Sequence, residues 1–341
     1  KIVINSSLHR KPSAGTIFSF VDEERDDWFM GQGWVIGMLT GALIFQIAAG
    51  AVAPAYGKLE ERLTVQDGQF IRANGTAIEG AVAKGITVSK YQNRAGEIDW
   101  GRVAGDHVTF AMIRLGYHED LDPYFDENMQ GAINQGISAG VFLYTQAMDV
   151  ETAREEARFV LEKIKDYPVS YPVAYDVESQ YLLDMGKTPE ELAWQVNAFC
   201  EVIAEAGYRP VVYGNHRWLT SYIDTSQIPY DIWYARYETS VNEFPNRTIW
   251  QYTDAGQVDG IQGEVCIEIA FANYQDLFPG TGWRQINGNR YYYKDYAKQT
   301  GWLQLEDGWY FLKEDGSMVF GEAYEVEGVM YQFDENGKWV E

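Results

Sequence analysis

Short apolar runs alternate with amphipathic stretches from Gly85 to about Phe278, and this alternation constrains the fold more than any other feature. Eight runs read as strands. They are Ile86-Thr-Val-Ser89, Thr109-Phe-Ala-Met-Ile-Arg114, Ala139-Gly-Val-Phe-Leu-Tyr144, Pro172-Val-Ala-Tyr-Asp-Val-Glu178, Pro210-Val-Val-Tyr213, Asp231-Ile-Trp-Tyr-Ala235, Thr248-Ile-Trp-Gln-Tyr252 and Glu264-Val-Cys-Ile-Glu-Ile269. Helical patterns lie between them at Phe125 to Gln135, Val150 to Lys165 and Pro189 to Ala206. Apolar strands alternating with helices predict a parallel α/β fold. Eight strands in roughly 195 residues predict a barrel with some crossovers too short for a helix, its site at the carboxyl ends of the strands.

That rule selects Tyr175-Asp-Val-Glu178 at the end of the fourth strand. Asp176 and Glu178 are two residues apart, so on a strand they share a face. Two neighbouring carboxylates cannot both ionise freely, so one becomes a proton donor near neutral pH. Glycosidic cleavage needs such an acid to protonate the leaving oxygen. Tyr91, Tyr117, Tyr144, Tyr213, Trp233 and Trp250 fall at or near predicted strand ends, where sugar rings could stack or a core could close.

Outside the barrel the text changes. No charged residue occurs from Trp28 to Gly57. About 20 apolar residues at about 1.5 Å each cover a hydrocarbon core of roughly 30 Å, so 28–57 is expected to be a transmembrane helix. Residues 1–27 form a polar N-terminal segment, and 58–83 read as a linker with turns at Asp67-Gly68 and Asn74-Gly75. Residues 281–341 repeat with a period near 20: Gly282-Trp283 recurs as Gly301-Trp302 and as Gly321-Glu322. Each is followed by an aromatic strand, and such hairpins bury their faces only by stacking.

Charge and composition exclude several functions. The 341 residues carry 27 Lys+Arg against 50 Asp+Glu, a net charge of −23, which is unsuited to gripping phosphate backbones. No nucleic-acid partner is expected. Two cysteines make no disulfide framework, and His9, His107, His118 and His216 show no metal spacing, so neither a metal nor a cofactor is expected.

Lys84-Gly-Ile-Thr-Val-Ser-Lys-Tyr-Gln92 with Ile98-Asp-Trp100 resembles the opening of family 25 glycoside hydrolases, the lysozymes or 1,4-β-N-acetylmuramidases. Ile113-Arg-Leu-Gly-Tyr117, Phe125-x-x-Asn128, Ala132-x-x-x-Gly136 and Tyr175-Asp-Val-Glu178 follow in the family's order. So do Gly207-Tyr-Arg-Pro-Val-Val-Tyr213, Ile232-Trp-Tyr-Ala-Arg-Tyr237 and Ile249-Trp-Gln-Tyr-Thr-Asp-Ala-Gly-Gln-Val-Asp-Gly-Ile261. The resemblance covers about 195 residues and implies an irregular (β/α) barrel of muramidase type over 84–280. It implies cleavage of the β-1,4 bond between N-acetylmuramic acid and N-acetylglucosamine in peptidoglycan. Glu178 would be the general acid, and Asp176 would assist the substrate's acetamido group. Because peptidoglycan lies outside the membrane, the N-terminus is expected in the bacterial cytoplasm and the barrel outside, at the wall of a single-pass protein.

Two positions depart from the family's pattern. Thr87 stands where the opening usually carries an aspartate, and Val265-Cys-Ile-Glu268 replaces a usual Val-Asp-Leu-Asn. Losing a preorganised charge typically costs about 10²–10³ in rate. The alternative is therefore a catalytically impaired, wall-binding barrel. Glu268 shares a strand face with Cys266, so its carboxylate either swings toward the vacated space or replaces only the usual asparagine. The tail resembles cell-wall-binding, choline-binding repeats. That resemblance implies wall-ligand contacts from Trp283, Tyr292, Trp302, Trp309 and Tyr310, the ligand being choline or another wall polymer.

Overall fold

The fold is described from a computed structural model, over residues 63–72, 74–237, 244–274, 280–286, 288–294 and 297–340. The chain divides into Lys1–Pro54 and Ala55–Glu341, and every described residue belongs to the second unit. The expected N-terminal segment and transmembrane helix lie outside the described residues. Among the described residues, no helix is long and apolar enough to cross a membrane.

The first elements differ from a plain linker. Strands β1 (Leu63–Gln66) and β2 (Gln69–Arg72) pair antiparallel around Asp67 and Gly68, which both adopt positive φ (51° and 76°). Such a pair matches the twist of a two-residue hairpin, and Asp-Gly tolerates it. Leu63 and Phe70, with the following Ile78, are buried in the barrel's outer core. Their apolar surface fixes the hairpin to the barrel.

The barrel strands are β3 (Ala83–Val88), β4 (Phe110–Tyr117), β6 (Ser138–Tyr144), β7 (Val173–Asp176), β8 (Pro210–Asn215), β9 (Asp231–Ala235), β10 (Arg247–Gly256) and β11 (Val265–Ala270); the short β5 (Asp120–Leu121) pairs with the end of β4. The order β3-β11-β10-β9-β8-β7-β6-β4 is closed by pairing of β3 with β4. Among the described residues six α-helices accompany them: α1 (Lys90–Ala95), α2 (Trp100–Gly105), α3 (Phe125–Asn134), α4 (Val150–Ile164), α5 (Gln180–Asp184) and α6 (Pro189–Glu205). The helices start where the sequence supplies caps. Asp149 accepts from the Thr152 amide, and Thr188 forms a capping box with Glu191 ahead of Pro189.

The expectation of an all-parallel sheet fails at the last strand. β11 runs antiparallel to both β10 and β3. Only residues 257–264 join β10 to β11, with Gly260 and Gly263 at positive φ. A parallel return needs a crossover of about a dozen residues or more, so this shorter link reverses the chain. As a result Cys266, near the start of β11, sits beside Thr87 near the end of β3, while Glu268 lies deeper, opposite Gly85.

Alternation then sorts the side chains. Ala111, Ile113 and Leu115 join Tyr175, Trp250 and Tyr252 in the layer beneath the helices. The barrel interior takes the other parity: Phe142, Trp233 and Tyr213 meet there, with ring centroids 5.8 Å and 4.5 Å from that of Trp233. The tail forms three small sheets: β12 (Gly282–Ile286), β13 (Asn289–Lys294) and β14 (Ala297–Lys298); β15 (Gly301–Leu305) and β16 (Gly308–Leu312); β17 (Ala323–Val326), β18 (Val329–Phe333) and β19 (Trp339–Val340).

Gly140 of β6 has no room for a side chain in the barrel interior. A Cβ there would stand 2.7 Å from both Met112 Sδ and the Pro172 carbonyl oxygen. The backbone carbonyl cannot yield as a flexible side chain can. Gly140→Ala is therefore expected to lower stability by about 1–3 kcal/mol, read as an earlier midpoint in urea with an unchanged slope.

Candidate active site

The site is built where parallel strands end and β11 begins. Asp176 closes β7 with its side chain fully buried, and Glu178 lies two residues beyond, still partly open to the cleft. The Glu178 amide donates to Asp176 Oδ1 at 3.1 Å, and the Asn215 amide donates to Glu178 Oε1 at 2.5 Å. Asp176 Oδ2 is buried without a hydrogen-bond partner. Few donors and strong burial favour the protonated forms. Burial, then the Glu178 charge, raises Asp176 well above the ordinary carboxylate range, against the Glu178 amide and the Arg114 guanidinium. Burial pushes Glu178 up to about 7, with the Asn215 amide opposing. The pair thus retains a proton near neutrality.

The rim around this pair is aromatic. Tyr144 stacks on Tyr117 with ring centroids 5.2 Å apart, and its hydroxyl donates to the Glu178 carbonyl oxygen at 2.9 Å. Tyr91, on α1, lies under the Arg114 guanidinium at 5.2 Å. Arg114 Nε in turn donates to Asp122 Oδ2 at 2.8 Å. Tyr91, Tyr117 and Tyr144 are partly open to solvent, whereas Tyr213 is buried nearer the carboxylates.

The structure places the remaining sequence-selected residues differently. Trp233 is fully buried in the barrel, so its ring is part of the floor. Trp250 points to the outer layer, where its indole N–H donates to the Arg236 carbonyl at 2.7 Å. Glu268 does not reach toward the cleft. It is fully buried, and both its oxygens are engaged: Oε1 accepts from Thr87 Oγ1 at 2.7 Å and from Gln251 Nε2 at 3.1 Å, and Oε2 accepts from Trp233 Nε1 at 2.8 Å. Thr87 is therefore committed to an internal carboxylate. Burial pushes Glu268 up to about 7 even against these three donors. Burial, reinforced by Glu268 and Asp254, pushes the Cys266 thiol well up, so it stays neutral.

Arg114, Asn215, Tyr237 and Gln251 were not singled out by sequence reasoning, although three of them lie within the quoted motifs. The usable signal was parity: Gln251 shares its β10 face with Ile249 and alternates with the outward-facing Trp250 and Tyr252.

In the tail, Trp283, Tyr292 and Tyr310 form one aromatic group, with Trp283 5.2 Å and 5.0 Å from the other two. Tyr310 is a core residue there with Leu312 and Met318. The Arg290 guanidinium lies over the Trp283 ring at 4.6 Å. A second group gathers Trp302 and Trp309 with Tyr331 and Trp339, Trp302 standing 6.2, 4.8 and 6.1 Å from them in that order. Trp302, Trp309 and Trp339 are each 37–40% exposed, so this group faces solvent.

A carboxyl whose folded pKa is raised binds more protons folded than unfolded between the two values. Its contribution to stability is then present at low pH and lost as pH rises. For Glu178 and Glu268 that window runs from about 4.5 to about 7. Glu178→Gln is expected to gain stability relative to the parent on going from pH 5 to pH 8, by at most a few kcal/mol. Paired denaturation curves at the two pH values check the sign.

Comparison with known proteins accords with this geometry. The profile of glycosyl hydrolases family 25 matches residues 86–261, and that of the cell wall binding repeat matches 281–295 and 300–318. The uncharacterized protein YegX of Escherichia coli (strain K12) is 30% identical over 206 residues, 57% of this chain and 71% of that protein. An autolytic lysozyme of Clostridium acetobutylicum is 24% identical over 190 residues, 54% of this chain and 55% of that one. Among solved structures, the modular autolysin LytC from Streptococcus pneumoniae, in complex with a synthetic peptidoglycan ligand, superposes with a TM-score of 0.53 and 28% identity, over 61% of this chain. This chain spans about half the length of that autolysin (51%). A family 25 glycosyl hydrolase from Bacillus anthracis shares the fold at a TM-score of 0.50 and 20% identity, over 59% of this chain and 94% of that one. With the family profile spanning the barrel and the repeat profile following it, the chain belongs to glycosyl hydrolases family 25, a lysozyme-type barrel carrying cell wall binding repeats.

Proposed function

We propose that this chain hydrolyses peptidoglycan at the β-1,4 bond between N-acetylmuramic acid and N-acetylglucosamine. The observation that carries this reading is the Asp176–Glu178 pair at the end of β7, short of donors and proton-retaining, with Asp176 buried and Glu178 half-buried. Glu178 keeps part of its side chain in the cleft and gives its proton to the glycosidic oxygen as the bond to the anomeric carbon breaks. The substrate's own acetamido oxygen bonds to that carbon, and Asp176 Oδ2 receives the acetamido N–H. Water then adds to the anomeric carbon, returning its proton to Glu178 and releasing the acetamido group. The exposed faces of Tyr117 and Tyr144 support stacking of adjacent sugars.

A second reading, a wall-binding barrel with impaired catalysis, is favoured by one observation: Thr87 is tied to Glu268 and Cys266 is a neutral thiol, so neither brings charge to the cleft. Reducing-end release from purified peptidoglycan separates the two. The first reading predicts release by the parent and a loss of roughly 10²-fold or more in Glu178→Gln. Release by neither parent nor variant, with wall binding retained, favours the second. Restoring family-like charges takes three changes together, Thr87→Asp, Cys266→Asp and Glu268→Asn. Thr87→Asp alone would set a carboxylate against Glu268 across the present 2.7 Å contact.

The repeats are proposed to hold a cationic wall ligand such as choline, in the open group of Trp302, Trp309, Tyr331 and Trp339. Arg290 already covers Trp283 in the other group. One choline per chain is therefore expected by calorimetry, and Trp302→Ala should abolish it. The uncharged run 28–57 is proposed to anchor the protein in the bacterial membrane, with the barrel outside at the wall.

A further inference from the structure

Gln251 stands between the buried carboxylate and the cleft. Its Nε2 donates to Glu268 Oε1 at 3.1 Å. Its Oε1 accepts from two phenols, Tyr213 at 3.1 Å and Tyr237 at 2.8 Å. At pH 8, above its pKa of about 7, Glu268 is an ionised carboxylate that only accepts, and an indole N–H only donates. Glu268 therefore obliges Gln251 to turn its amide nitrogen inward and its carbonyl outward. Two hydroxyl protons then fill both lone pairs of that carbonyl.

We propose that Glu268 is a positioning residue that sets the hydrogen-bond polarity of the cleft: through Gln251 it draws the protons of Tyr213 and Tyr237 inward and so turns the oxygen of the exposed Tyr237 toward the glycan as an acceptor for an N–H or O–H. The glycan as ligand rests on the peptidoglycan reading above. The polarity itself rests on the bond directions alone. Tyr213 is buried in the field of Asp176 and Glu178, while Tyr237 is 39% exposed, so it is the Tyr237 phenol that stands between the network and the cleft. With its proton committed to Gln251, Tyr213 spares none for Asp176, whose Oδ2 is accordingly without a donor.

The same logic predicts an inversion. In Glu268→Gln the indole of Trp233 keeps the oxygen of the new amide. The nitrogen then takes the place of Oε1, facing Thr87 and Gln251. Gln251 must flip to accept from it, and its own nitrogen then donates to the two tyrosines, whose protons turn outward. Adding Gln251→Glu restores the original sense, because a carboxylate at position 251 accepts both from the new amide and from both phenols. Shape is nearly constant through the series, so packing alone predicts no such reversal.

The test is nuclear magnetic resonance of the full chain with Tyr labelled at 13Cζ, at pH 8, assigned by loss of signal in Tyr213→Phe and Tyr237→Phe. Both resonances are expected to move in Glu268→Gln and to return in the Glu268→Gln/Gln251→Glu pair. Affinity for a soluble β-1,4-linked N-acetylglucosamine tetrasaccharide should fall roughly tenfold in the single variant and recover to within about twofold in the pair. Resonances unmoved in the single variant, or still displaced in the pair, would overturn the assignment. Should Glu268→Gln not fold, Gln251→Met breaks the relay from its other end, and both resonances must again move. These signals are read without substrate, so a parent that cleaves no peptidoglycan counts against the proposed reaction and leaves the polarity result standing.

Discussion

A carboxylate enclosed in a closed barrel must be met by donors or give up its charge, and the interior of this protein is organised by two answers to that constraint. Glu268 is met: a threonine hydroxyl, an indole N–H and an amide N–H converge on it from β3, β9 and β10. The Asp176–Glu178 pair is left short, with one backbone amide for each side chain and one oxygen unpartnered. Glu178 and Glu268 are both pushed up to about 7, so what separates them is access: the donors tie Glu268 into the scaffold, while Glu178 stays half-buried at the cleft, where its proton can be traded. The contrast lies in placement rather than in residue type.

The outer face of β7 shows why the reactive strand end holds still. Tyr175 points away from the barrel and stacks on Phe199 of α6, ring centroids 3.9 Å apart. Its hydroxyl donates at 2.5 Å to Glu156 of α4, a buried carboxylate that also accepts from Thr145 at 2.6 Å and pairs with His118 at 2.6 Å. The bond to Glu156 raises the His118 imidazole pKa. Adjacent residues on one strand thus serve opposite ends: Tyr175 is pinned to two helices, and that fixes the direction in which Asp176 projects. A strand of only four residues gains its precision from this outward anchorage.

Much of this was legible in the sequence. All eight barrel strands stand where apolar runs announced them, because a strand buried on both faces must be apolar nearly throughout. The spacing of Asp176 and Glu178 announced their meeting. Three things were not legible. The reversal of β11 depends on the geometry of one short loop. The hairpin at 63–72 hid in polar text, its Leu63 and Phe70 being too few to form a run. Trp233 and Trp250 occupy matching places in similar motifs yet point to opposite sides. A register shift between Arg247 and Ile249 sets Ile249, not Trp250, beside Trp233. Nor could periodicity reveal that Thr87, Trp233 and Gln251 would converge on Glu268. They come from three strands, and such convergence is a property of closure.

The reversed last strand also settles where the barrel is tethered. Were the last strand parallel to the others, it would end at the mouth, beside the cleft. Here Ala270, the end of β11, pairs with Ala83, the start of β3, and Val82 donates to the Ala270 carbonyl. Entry and exit therefore share the floor. The first tail hairpin stays on that side, since Arg284 and Tyr293 lie in the electrostatic field of Tyr208, just before β8 begins. Among the described residues, then, the chain enters and leaves the barrel on the side opposite the mouth, so a pull on either end of the barrel is borne behind the cleft rather than across it.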